Sequence, residues 1–97
     1  MKLKQKIIDN LQPILKGFDV YLFGSILTSE YPNDIDLLII YNKEIIQIEQ
    51  AVEYRKKISL TLSKICDIHS EILLLSNEEN NELEFVKNSR TEKLPDS

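Results

Sequence analysis

The hydrophobic periods along this 97-residue chain predict an α/β (α+β) domain: a small mixed β-sheet of about three strands packed with helices. Three observations lead there. Residues 2–16 and 44–66 repeat apolar side chains at helical spacing. Three short aliphatic or aromatic runs, near 19–23, 35–41 and 69–75, alternate with those stretches. The length leaves room for one core, because two would each fall below the size at which a core sustains itself.

The first helix is expected over residues 2–16, from Leu3, Ile7, Ile8, Leu11, Ile14 and Leu15 with Lys4, Lys6, Asp9 and Asn10 between them. Pro13 removes a backbone donor and crowds the preceding turn, so the helix bends or breaks there. Gly17 suits its C-terminal stop. Asp19-Val20-Tyr21-Leu22-Phe23 reads as a strand closed by Gly24-Ser25, and residues 26–33 as one helical turn and a loop. Ile35 and Leu37–Tyr41 make an almost unbroken apolar strand, reached through Asp34 and Asp36; such a run suits a strand covered on both faces. Residues 44–66 lack Gly and Pro and set Ile45, Ile48, Val52, Ile58, Leu62 and Ile65 near one stripe of a long helix. A third strand spans His69 to Leu75. Ser76 as N-cap, with Glu79 three residues on, forms a capping box for a last helix over about 77–88. The domain is thus expected over residues 1–88, with the polar remainder, 89–97, a disordered tail.

Charge narrows the function. Twelve Lys and Arg against sixteen Asp and Glu give a net charge of −4. A protein that grips long nucleic acid by its phosphates carries a basic face, so nucleic acid is a poor partner for this chain. No apolar run approaches the roughly 20 residues of a membrane span, and MKLKQKIIDN has no signal-peptide apolar core. Cys66, the one cysteine, has no partner for an internal disulfide. The expected setting is the cytoplasm.

The chemistry concentrates in FGSILTSEYPNDIDLLII, residues 23–40. Gly24-Ser25 lies where a strand meets a helical turn. A glycine there lets the backbone approach a ligand closely, and free amides with the Ser hydroxyl suit an anion such as phosphate. Asp34 and Asp36 are two apart on a strand, so both carboxylates share a face. Side by side they repel unless a cation lies between them, and hard oxygen ligands suit Mg²⁺. They also open a strand that is otherwise aliphatic, where unpaired charge is costly to bury. A phosphate cradle beside a divalent-metal dyad can hold a nucleoside triphosphate and stabilise in-line attack on its α-phosphorus.

This pattern resembles the polymerase-beta-like nucleotidyltransferases, with their palm-like fold, and especially the small stand-alone minimal nucleotidyltransferase branch. With the helix, strand and helix that follow, the likeness covers most of residues 1–88. It implies that Gly24 and Ser25 hold the triphosphate and that Asp34 and Asp36 bind Mg²⁺. It also implies a third carboxylate on a neighbouring strand, a further metal ligand and base for the attacking hydroxyl. Family members often run from Asp through a few aliphatics and Leu-Ser into Glu-Glu; a Glu there is longer by one methylene. Laid on EILLLSNEE, this puts Glu71 in that role, with Asp67 as the alternative. Two features depart from the family: the spacer between Ser25 and Asp34 is eight residues, and the Arg often found soon after the Ser is missing.

The resemblance implies an enzyme that transfers a nucleoside monophosphate, AMP from ATP, to a hydroxyl of a protein or small molecule. Stand-alone members of the branch are often encoded beside a helical HEPN-type protein and act as antitoxins that adenylylate it. The alternative is a binding module that keeps the fold and neutralises a partner by contact. A third reading is an ordinary α/β domain with an accidental Asp-x-Asp. His69 reads as a surface residue, Cys66 as a small core residue, and Tyr54, Arg55, Lys56 and Lys57 as a solvated basic face. A chain this short has no second domain to clamp a nucleotide, so another subunit, a HEPN-type partner or a second copy, is expected to supply that wall.

Overall fold

The computed structural model describes residues 3–15 and 17–95. Helix α1 spans Leu3–Leu11 and passes into a 3-10 turn, Gln12–Ile14. Pro13 sits in the first positions of that turn, where its missing N–H costs little. Gly17 then takes φ +79°, a left-handed conformation open to glycine, and releases the chain into strand β1, Phe18–Phe23. A second 3-10 turn, Gly24–Leu27, and a loop lead to β2, Asp34–Tyr41. Helix α2 (Ile48–Ile65), strand β3 (His69–Ser76), helix α3 (Asn77–Leu83), the single helical turn α4 (Phe85–Asn88) and strand β4 (Thr91–Lys93) follow. Among the described residues no helix is long and apolar enough to cross a membrane.

The sheet has the order β3-β2-β1-β4 among the described residues. β1 lies antiparallel to both β2 and β4, while β2 and β3 run parallel, so the sheet is mixed. The parallel pair needs a crossover, and α2 supplies it. One face carries Val20, Leu22, Ile35, Leu37 and Ile39, which pack with Ile7 and Leu11 of α1 and Tyr54, Ile58 and Leu62 of α2. Phe18 stacks on Tyr54 with ring centroids 3.7 Å apart. Burial without a hydrogen-bond partner pushes the Tyr54 hydroxyl up to about 12. On the opposite face Leu38 is fully buried and Ile40 nearly so, with α3 against β2 and β3. The aliphatic run of β2 is therefore covered on both sides.

Four sequence expectations need correction. The tail is not disordered where it is described: Thr91, Glu92 and Lys93 pair with Phe23, Leu22 and Tyr21, and the Leu94 amide donates to the Val20 carbonyl at 2.8 Å. This adds a fourth strand to the three expected and buries Leu94; Asp96 and Ser97 lie outside the described residues. The long helix begins at Ile48, because Asn42 accepts the amides of Ile45 and Ile46 and holds a turn ahead of it. Its buried stripe is Ala51, Tyr54, Ile58 and Leu62, whereas Ile45 and Ile48 are exposed. The last helix divides at Glu84, whose φ of +52° is left-handed, and Phe85 turns edge-on against Phe23 at 5.3 Å. Ser76 and Glu79 do form the expected capping box at the start of α3. Of the first expected helix, residue 2 and Lys16 lie outside the described residues.

Candidate active site

Each candidate is placed by the register of three strands. β1 ends at Phe23, whose register partner on β2 is Asp36, and the chain turns directly into Gly24. On the other side of β2, the parallel register sets His69 opposite Asp34 and Glu71 opposite Asp36. Neighbouring strands lie about 4.8 Å apart, so these four residues are adjacent. Strand alternation turns them all to the face away from α1 and α2. The structure thus brings Gly24, Asp34, Asp36 and Glu71 together. Asp67 does not join them; it is exposed in the turn between α2 and β3.

Gly24 has φ +78°, and a Cβ there would collide with the Asp36 carboxylate, whose Cγ would be 3.3 Å away. Only a hydrogen fits between this backbone and that carboxylate. Behind Gly24, the 3-10 turn starts without a side-chain cap. The Ser25 hydroxyl makes a long contact to the Asp34 carbonyl at 3.5 Å, linking the turn to the start of β2. The loop between them is tied by the Tyr31 amide donating to the Ser29 hydroxyl at 3.0 Å.

The electrostatics are one-sided. Asp36 is half-buried, while Asp34, Glu71 and His69 are exposed. Burial, then the negative charges of Glu71 and Asp34, push the Asp36 carboxyl above its ordinary value; His69 pulls it back. His69 Nε2 stands 3.9 Å from Glu71 Oε1, a loose pairing. His69 is thus a surface residue, as expected, and lies on this face, opposite Asp34. Three carboxylates gathered with one loosely held imidazole favour a cation.

Among the described residues no three His, Cys, Asp or Glu side chains close into a ready-made metal cage. An open carboxylate set still suits Mg²⁺, which takes one or two carboxylates and completes its shell with water and substrate phosphates. Asp34 and Asp36, with Glu71 beside them, would hold it. The three carboxylates stand on open sheet, and none of them lines the cavity of about 490 Å³ between α1 and the 3-10 turn.

The family profile described as polymerase beta, nucleotidyltransferase, matches residues 4–93, nearly the whole chain. The chain belongs to this family. The polymerase beta nucleotidyltransferase domain also resembles a solved crystal structure described as that of a candidate nucleotidyltransferase. The TM-score is 0.58 and the identity 19%, with 98% of this chain and 100% of the other covered. At that identity the likeness is one of fold. None of the curated proteins matches. The family match includes β4, so the nucleotidyltransferase domain extends past residue 88.

Proposed function

We propose that this nucleotidyltransferase domain moves a nucleoside monophosphate, AMP from ATP, to a hydroxyl group with Mg²⁺ as cofactor. The acceptor is a partner protein or a small molecule, and a HEPN-type helical protein neutralised in a cytoplasmic toxin–antitoxin pair is the favoured partner. The observation that carries this reading is the register that sets Glu71 beside Asp36 while Gly24 is pressed against the same carboxylate.

Bound Mg²⁺ would draw charge from the phosphates and steady the pyrophosphate as it leaves. The chain's own groups do the rest. Asp34 and Asp36 would hold that ion from one face of β2. Gly24 lets the chain pass close to the phosphates, and the Ser25 hydroxyl donates to them. Glu71, 67% exposed at its side chain, reaches toward the acceptor hydroxyl and takes its proton as that oxygen attacks the α-phosphorus.

A second reading is a binding module that neutralises its partner by contact. The longer Glu at the third carboxylate position and the missing Arg after Ser25 favour it. One experiment separates the two. The chain is incubated with α-labelled ATP, Mg²⁺ and the candidate partner, and the wild type is compared with Asp34→Ala/Asp36→Ala. Label transfer should fall by more than about 100-fold, since even outer-shell partners of a metal ligand are worth 10- to 100-fold. Transfer that survives the double change refutes the metal site. Absent transfer with intact partner binding favours the module.

A further inference from the structure

The two edges of the sheet differ. β4 has three residues, and its Glu92 and Lys93 are held in ion pairs with Lys4 and Asp19. β3, at the other edge, has eight, longer than the usual strand of about 5–6. Its sequence, HSEILLLS, carries no proline or lysine, and its register with β2 runs without a bulge. These are the devices that normally blunt an edge. Among the described residues the outward amides and carbonyls of 69–75 make no hydrogen bonds, and Leu73 is 43% exposed at mid-strand.

Beside this edge, two cavities of about 260 and 520 Å³ lie between α2 and β3 and adjoin at Ser59 and Ser70. Arg55 and Lys56 line the first. Arg55 is half-buried and has no hydrogen-bond or ion-pair partner among the described residues. Lys56 has only a loose, exposed contact to Glu53 at 3.8 Å. A guanidinium partly withdrawn from water without a counter-charge calls for an anion, and carboxylates match its fork.

We infer that the β3 edge receives an extended acidic segment of a partner protein as a fifth strand, its carboxylates held by Arg55 and Lys56. Main-chain hydrogen bonds would supply affinity and the groove would select alternate side chains. Residues of the incoming strand on the α2 side would be acidic, and those on the other side apolar, alongside Leu73. A second copy is disfavoured: two-fold pairing of β3 with itself puts α2 beside α2, so Arg55 and Lys56 meet their own kind. A nucleic-acid strand has no amide ladder to match the edge, and the chain's net charge of −4 repels it.

The inference stands apart from nucleotide transfer, and its test omits ATP and Mg²⁺. A displayed library of random ten-residue peptides is selected against the full chain. The expected winners carry Asp or Glu at alternate positions, lack proline, and slow amide hydrogen exchange within residues 69–76. Arg55→Glu/Lys56→Glu, whose fold is checked by circular dichroism, should bind them at least about tenfold more weakly. No enrichment, non-acidic winners, slowed exchange elsewhere, or unchanged binding by the double variant would each overturn the proposal. So would concentration-dependent pairing of the chain with itself through β3. A ten-nucleotide uridine oligomer that binds more tightly than any peptide, and is lost with the double variant, would assign the groove to nucleic acid instead.

Discussion

Asp36 and Gly24 lie so close that a side chain at one would meet the other, and each predicts something about its neighbour. Gly24→Ala puts a methyl group where the Asp36 carboxylate lies and forces a left-handed backbone on an L side chain. The backbone alone costs about 1–2 kcal/mol. The collision adds to that, so urea unfolding should show a larger loss in the wild-type background than in Asp36→Ala. Equal losses in the two backgrounds would mean that the methyl group and the carboxylate do not meet. Asp36 itself should be a cost to the fold at neutral pH. Its carboxyl holds a proton more tightly in the folded chain than the ordinary value of 3.8. The stability this contributes is complete below that value and fades as pH rises through the folded value. Asp36→Asn should therefore raise the urea midpoint at pH 7, with the gain gone near pH 3. A lower midpoint at pH 7 would contradict the charge crowding, and a gain in stability with loss of transfer would mark a residue kept for chemistry.

Elements show where local pattern suffices and where it fails. β2 was legible because its aliphatic run and its two carboxylates lie on one contiguous segment. The pairing of Gly24 with Asp36 was half legible, since the motif names both residues and only the fold reveals the contact. The placing of Glu71 and His69 depends on register across two strands, which no local period encodes. β4 was illegible for a different reason. Thr91-Glu92-Lys93 has no apolar alternation, and its strand state comes from pairing with β1 and from the one apolar side chain after it, Leu94, 1% exposed. Leu94→Ala should thus behave as a core mutation and cost about 2–5 kcal/mol in urea unfolding. A loss below about 0.5 kcal/mol, the range of ordinary surface changes, would return these residues to a tail. The break at Glu84 likewise follows from tertiary contact. Phe85 turns onto Phe23, and the Asn80 side chain accepts the Val86 amide at 3.3 Å, so a continuous helix gives way.

At the scale of the whole molecule, the carboxylates occupy sheet that the chain leaves open, and the long unblunted edge lies on the same side of β2 as Glu71. A small domain built this way leaves both surfaces free for the nucleotide and the strand proposed above. The opposite edge of the sheet is short and pinned by charge. There Lys4, in the first turn of α1, meets Glu92 of β4, so the beginning and the end of the fold are fastened to each other. Loss of the β4 pairing would therefore also release a contact of the first turn of α1. Lys4→Ala should speed amide exchange at both places only slightly, since an exposed ion pair is worth under about 1 kcal/mol.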